Sequence, residues 1–359
     1  MSHGSALTAV LGDAVEREMR ALLAELRTSS PLHDLAAYHL GWVGRVSESP
    51  ALAAPSAAAS GPAHAPTAGK KVRPLLTLMI TQALAGDLTA ALPVAAAIEL
   101  VHSAALVFDD IQDASPLRRG HPALWQVCGA AQAINVGVTL QAAVHLGVTR
   151  AVRAGLAPLL ALSIGAELAQ CMVRLAEGQY LDLAFQSKSL ASIDDYMAIC
   201  AAKTAPLFGT AAYLGVALAG REDLTSTARR LGHHIGMYLQ LEDDIGGIWG
   251  SSDRMGKAPS DMQAGKKTLP LLYLSQTEGL SGEAADLLSR YLRSEELTAS
   301  EMTNLRQYAV DLGGRAYAEE MAAFHRDLAR RALGELDRGL ADEVGALLEG
   351  IAASLMPSV

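Results

Sequence analysis

Apolar residues recur at helical spacing through most of the chain. Leu11, Val15, Met19, Leu22 and Leu26 fall three or four apart with acids and bases between them, which predicts an amphipathic helix over 7–27. A shorter helix is predicted over 32–46. Residues 47–68 break the pattern with Pro50, Pro55, Pro62 and Pro66 among Ala and Ser, and this composition predicts a long mobile loop. Long apolar helices return from Leu75 through Ala85, then over 92–113, about 124–148 and 159–185. The next helix starts at Ile193 and meets Pro206, whose ring and missing N–H should kink or break it beside Lys203 and Thr204. Irregular backbone inside a core is costly, so a functional site is expected at that break. Another helix is predicted from near Thr225, with Leu231, Ile235 and Leu239 on its apolar face. Strand-like alternation is hard to find anywhere, and the predicted fold class is all-α.

Composition narrows the picture. The 359 residues are 50% apolar but only 4% aromatic, enough for a large core built from small aliphatic side chains. A net charge of −9 without a basic stripe argues against nucleic acid as a partner. Cys128, Cys171 and Cys200 are odd in number and lack metal-ligand spacing, so they read as core thiols in a reducing compartment. Asp13, Glu16 and Glu18 make the N-terminal stretch unlike a targeting peptide, and a cytoplasmic location is expected. Residues 122–149 carry no formal charge and could imitate a membrane span. Gln126, Gln132, Asn135, Gln141 and His145 within them favour a helix buried in a bundle, without stable membrane insertion.

Charges inside the apolar runs carry the chemistry. Asp109 and Asp113 lie one helical turn apart with Asp110 beside them, and Arg118 and Arg119 follow. Carboxylates at this spacing repel unless a cation joins them, and hard oxygen ligands without Cys or His suit Mg²⁺. The arginines add forks for an anion, so a diphosphate could be held between metal and base. Taken alone, the cluster is equally well explained as a solvated helix end. A second cluster, Gln240, Asp243 and Asp244, shares a face of the helix from Thr225. Two such clusters deep in apolar helices can hold metal ions from opposite walls of a cavity. Lys70 and Arg73, three apart, could face one anion. Gln179 and Asp182 interrupt a core face, as a satisfied hydrogen-bond pair would. Residues 251–267 are rich in Gly, Ser and Lys and read as a flexible lid bringing Lys257, Lys266 and Lys267 to the mouth.

From Gly69 to Pro270 the chain resembles the trans-isoprenyl diphosphate synthases, or polyprenyl synthetases. The resemblance rests on GKKVRP at 69–74, ELVHSAALVFDDIQD at 99–113 followed by RRG, GQYLD at 178–182, KT at 203–204, and QLEDD at 240–244 followed by GK and a spaced Asp and Lys. It implies one domain over 1–359, an antiparallel helical bundle around a deep central cavity, and a homodimer. The implied reaction ionises an allylic diphosphate, joins isopentenyl diphosphate to the cation and releases a proton. By resemblance, Asp109, Asp113 and Asp243 would ligate Mg²⁺ with Asp110 and Asp244 in support. Arg118, Lys203, Lys257 and Lys266 would hold the allylic diphosphate. Lys70, Arg73, His102 and Arg119 would hold isopentenyl diphosphate, and Thr204 and Gln240 would aim oxygen dipoles at the cation.

The chain departs from the family where Gly247 replaces a third Asp and Val138 follows Gly137 in place of an acid. Two rivals use the same features. A terpene cyclase would need an Asn, Ser or Thr, and Glu motif that Asn135 and Thr139 begin but Ala143 does not continue. A non-catalytic partner subunit would not need both Asp clusters. Small residues before Asp109, namely Val101, Ala104 and Ala105, leave room where a ring would form a floor. Products of about C20 or longer are therefore expected, as from a geranylgeranyl diphosphate synthase, with Ala104→Phe shortening them.

Overall fold

The computed structural model describes residues 3–26, 30–44, 69–186, 192–250, 262, 265–277, 280 and 282–353. The expected loop at 47–68 and most of the expected lid, Lys257 included, lie outside the described residues. The helices are α1 (His3–Glu25), α2 (Ser30–His39), α3 (Val72–Ala83), α4 (Leu88–Gln112), α5 (Leu124–Arg153), α6 (Pro158–Gln186), α7 (Ile193–Lys203), α8 (Ala205–Leu218) and α9 (Thr225–Trp249). After them come α10 (Leu269–Ser275), α11 (Gly282–Leu292), α12 (Ala299–Asp311), α13 (Gly314–Leu336) and α14 (Arg338–Ala353). The all-α expectation holds. The exception is a two-residue hairpin, β1 (Leu117–Arg118) against β2 (His121–Pro122), too short to leave an alternating pattern.

Helix α4 is the axis of the bundle. It begins at Leu88, one turn earlier than expected, because Asp87 caps it by accepting a 2.8 Å hydrogen bond from the Thr89 N–H, and Pro93 sits inside the helix instead of marking its start. Helices α1, α3, α5, α6 and α8 all pack on it. The scarcity of aromatic residues has its reason in how closely these helices approach. A Cβ at Gly147 would lie 2.7 Å from the Pro93 carbonyl on α4, and one at Gly232 would lie 2.3 Å from the Gly209 backbone where α9 crosses α8. Thr77 and Thr81 remain in this core because their hydroxyls donate to the Ala211 and Gly215 carbonyls across the α3–α8 contact. One apolar cluster extends from α1 to α14, and a smaller one lies beneath α10, α11 and α12.

Helices α4, α5, α6 and the α7–α8 pair are each long and apolar enough to cross a membrane by length and composition. The expectation that 122–149 is buried needs correction. Most of α4 is enclosed, whereas α5 and α6 present an open apolar face that includes Ile134, Val138, Leu159, Leu162, Val173 and Tyr180. This accounts for Val138: it points outward, while its neighbour Gly137 receives the Phe108 ring, which a Cβ there would meet at 2.5 Å.

Candidate active site

Rotation around α4 separates its three aspartates. Asp110 points into the protein, 1% exposed, and both its oxygens accept from Arg118, with Nε at 3.0 and 3.2 Å and Nη2 in a further short contact. Asp109 is half-buried, and Asp113 caps the C-terminus of α4, its N–H donating to the Asp109 carbonyl at 2.8 Å. Burial, then repulsion from Asp109, raises the Asp113 carboxyl above its ordinary range. Asp110 is also raised by burial, against the pull of Arg118. The metal-supporting part expected of Asp110 therefore does not match its placement: its oxygens belong to Arg118.

The arginines after α4 sit where they do because the chain turns back tightly. Arg119 and Gly120, at φ +52° and +77°, form the tip of the β1–β2 hairpin. A two-residue turn with both residues at positive φ suits right-handed strand twist, at a cost of about 1 kcal/mol or more for the non-glycine residue. This brings the Arg119 guanidinium onto Gly69, where a Cβ would lie 2.7 Å from its Nη2. Lys71, at φ +48°, turns the chain into α3 immediately after Lys70.

Arg73, on the first turn of α3, stacks over Phe208 at 4.5 Å, and its Nε has no partner among the described residues. Burial lowers its pKa to about 10, so it stays charged at neutral pH. His102 lies on α4 one turn from Glu99. Burial, reinforced by Arg73, Arg119 and Arg118, holds it well below the usual imidazole range, and its ring is neutral. Arg73, Arg118 and Arg119 thus all act on one basic region around neutral His102, and Asp243 acts on both Arg118 and Lys70. Sequence reading missed that region's internal counter-charge. Glu99 is 5% exposed, and burial pushes its carboxyl up against the pull of Arg73, Arg119 and Lys71. The signal was available: an acid on the core face of the helix bearing the Asp cluster.

The Gln179 and Asp182 expectation also needs correction, because the two side chains do not pair with each other. Gln179 Nε2 donates to Asp113 at 3.0 Å, and Asp182 accepts from Lys203 Nζ at 2.7 Å. Lys203 also reaches Asp109 at 3.1 Å, and despite the opposing effect of burial these carboxylates raise its pKa. Gly178 lets α6 approach the end of α7 closely enough for both links. A Cβ there would lie 2.5 Å from the Ala202 carbonyl.

The expected break occurs at Thr204, between α7 and α8, with Pro206 in the first turn of α8. Thr204 Oγ1 donates to Gln240 Oε1 at 2.7 Å, and Gln240 Nε2 donates to Asp244 Oδ1 at 2.9 Å. Asp244 is 6% exposed and also accepts from the Tyr196 hydroxyl, a partner sequence reading missed. With its proton committed to Gln240, the Thr204 oxygen keeps its lone pairs for an electron-poor group. Gln240 Oε1, by contrast, is already an acceptor within this chain of bonds.

Asp243 stays half-buried and acts electrostatically on Lys70 and Arg118, so it faces the basic region after the end of α4. Asp109, Asp113 and Asp243 together offer hard oxygen donors near strong anion-binding groups, a set that fits a divalent metal and a diphosphate. Lys266 is described, and its carbonyl accepts from Tyr291 at 2.8 Å. Val101 and Ala104 are each 1% exposed within the packed core, whereas Ala105 is half-buried one turn before Asp109, on the same open face.

Residues 60–308 match the family described as polyprenyl synthetase. The chain is 32% identical over 294 residues to a geranylgeranyl diphosphate synthase of Mycobacterium tuberculosis, covering 81% of this chain and 78% of the relative. It is 31% identical over 312 residues to a (2E,6E)-farnesyl diphosphate synthase of Mycobacterium bovis, covering 83% and 79%. A solved polyprenyl synthase of Caulobacter crescentus, complexed with calcium and isoprenyl diphosphate, superposes with a TM-score of 0.79 at 26% identity, covering 98% of this chain and 96% of that one.

Proposed function

We propose that this chain, which belongs to the polyprenyl synthetase family, is an Mg²⁺-dependent prenyltransferase that condenses isopentenyl diphosphate with an allylic diphosphate to give trans-polyprenyl diphosphates of about C20 or longer. One observation carries the reading. Half-open carboxylates on two helices, Asp109 at the end of α4 and Asp243 on α9, act on one guanidinium, that of Arg118.

In this reading Asp109, Asp113 and Asp243 hold the metal, which when bound neutralises the leaving diphosphate. Arg118 and Lys203 bind that diphosphate, and Lys257 and Lys266 add positive charge to the same group. Asp110 and Asp182 have a different part: they hold Arg118 and Lys203 in place before substrate arrives. Lys70, Arg73, His102 and Arg119 hold isopentenyl diphosphate, with neutral His102 contributing a hydrogen bond and no further repulsion. When the allylic C–O bond breaks, the Thr204 oxygen faces the positive charge that develops. The Tyr196–Asp244–Gln240 chain keeps its hydroxyl proton turned away. The double bond of isopentenyl diphosphate supplies the electron pair for the new C–C bond. The proton then lost passes to the departed diphosphate, so the protein need supply no base.

The open apolar face of α5 and α6 supports a homodimer, because a second copy would remove that face from water. The test is incubation with labelled isopentenyl diphosphate and C5, C10 or C15 allylic primers, with products separated by length. Chains of C20 or longer, lost in EDTA and restored by Mg²⁺, are expected. Full turnover in EDTA, products that stop at C15, or a cyclic hydrocarbon made from allylic diphosphate alone would each overturn the corresponding part.

A further inference from the structure

We infer that His233, His234 and His325 form a binding site for a divalent transition-metal ion of the zinc class, separate from the carboxylate site. His233 and His234 are consecutive on α9, and His325 comes from α13, which packs along it. His234 Nδ1 lies 3.0 Å from His325 Nδ1, and each of the three residues offers a ring nitrogen within 4.8 Å of the others. The ring centroids are 5.1, 5.2 and 6.2 Å apart, with no two rings parallel. Bonds of about 2.0–2.1 Å to a tetrahedral ion require nitrogens about 3.3 Å apart. Two lie close to that spacing, at 3.0 Å, and the third lies within 4.8 Å of both.

Local packing explains why three imidazoles converge here. Gly232 and Gly236 press α9 against the backbone of α8 at Gly209 and Ala205, which fixes the rotation of α9 about its axis. His325 is buried while His233 and His234 are half-buried, so an ion has a route in and a fourth position stays open to water. A hydrogen bond between His234 and His325 uses one ring nitrogen of each. Among the described residues the three rings make no other hydrogen bond, and no carboxylate acts on them electrostatically. Burial keeps the rings in the neutral form whose lone pair a metal uses.

Nitrogen donors select zinc, nickel or copper over magnesium, the reverse of the carboxylate preference. At 1.5 Å per residue His234 lies about 14 Å along α9 from Asp243, too far for an ion there to touch a diphosphate held by that carboxylate. Such an ion would tie α9, the helix carrying Asp243 and Asp244, to α13.

The experiment uses tag-free full-length protein stripped with EDTA and then saturated with Mg²⁺, so that oxygen sites are filled. One equivalent of Zn²⁺ per chain, a Tm raised by Zn²⁺ but not by more Mg²⁺, and nitrogen hyperfine splitting in the Cu²⁺ resonance spectrum are expected. His325→Gln, and separately the half-buried His233→Ala, should weaken Zn²⁺ binding by about tenfold or more, with Mg²⁺-supported prenyl transfer retained. The two variants guard against one that fails to fold. The inference is overturned if wild type binds no Zn²⁺ under these conditions, if a folded variant binds it equally well, or if the Cu²⁺ spectrum shows only oxygen ligands.

Discussion

Gly178→Ala tests whether the α6–α7 contact sets the position of Lys203. The added Cβ would lie 2.5 Å from the Ala202 carbonyl oxygen, 2.6 Å from Lys203 Cα and 2.7 Å from the Ala202 carbonyl carbon. All three are backbone atoms, so no side-chain rotation relieves the contact. The helices must separate by about 0.9 Å to reach ordinary contact at 3.4 Å. Overpacking of this kind costs about 1–3 kcal/mol, a Tm loss of a few degrees in a chain this long. The effect on turnover should be larger. Lys203 bridges Asp182 at 2.7 Å and Asp109 at 3.1 Å, and the same displacement stretches the first contact, the one that crosses from α7 to α6, to about 3.6 Å. A misplacement near 1 Å costs roughly 10²-fold in rate when a positioned charge is involved. Thermal unfolding and steady-state kinetics with labelled isopentenyl diphosphate measure the two effects. Gly334→Ala, at an exposed helical glycine with nothing within 4 Å, is the control and should stabilise by up to about 1 kcal/mol. If Gly178→Ala keeps wild-type kcat and Tm, the contact does not position Lys203 and the reasoning fails.

Arg73→Ala should raise the KM for isopentenyl diphosphate by roughly ten- to a hundredfold, the equivalent of about 1.5–3 kcal/mol for a charge-assisted hydrogen bond. The KM for the allylic primer should stay nearly constant, and equal changes in both would remove Arg73 from the isopentenyl site. His39 donates Nε2–H to the Ser103 carbonyl at 2.8 Å, and burial lowers its pKa to about 4. Because the unfolded imidazole takes up its proton first, the stability this residue contributes is complete above about pH 6.5 and is lost as pH falls towards 4. Between pH 7 and 5 the loss is about 2 kcal/mol, so urea titrations of His39→Gln should show a shallower acid decline than wild type, and parallel declines would refute it. Ala105→Phe should shorten products towards C15, since Ala105 shares the open face with Asp109. Ala104→Phe should mainly lower Tm, because it forces a ring into closed core. An unchanged product distribution in a folded, active Ala105→Phe enzyme places the floor elsewhere.

Charges were the legible part of this chain because an aspartate or lysine inside a run of Ala, Leu and Val is conspicuous without coordinates. Asp109 and Asp243 stand out in this way, and the break at Thr204 is legible because Pro206 forbids a continuous helix there, whereas Arg73 and Lys203 take their parts from the family resemblance. What remained hidden were relations between helices. Spacing placed Gln179 and Asp182 on one face of α6 but could not show that one reaches α4 and the other α7. The left-handed Arg119 was equally invisible, because its conformation comes from a hairpin only two residues long on each side.

The same limit hides how differently neighbouring aspartates are placed. Successive residues on a helix are turned by about 100°, so in each pair one side chain can face the open side while the next meets the core. Asp110 and Asp244 are the inward members, 1% and 6% exposed, engaged by Arg118 in one case and by Tyr196 and Gln240 in the other. Asp109 and Asp243 are the outward members. A carboxylate buried beside a cation or hydroxyl gains more by holding that partner than by reaching for an ion in solvent. On the proposed reading the Asp-Asp doublet combines two tasks at adjacent positions: the outward carboxylate would hold a metal, while the inward one fixes its neighbouring side chains.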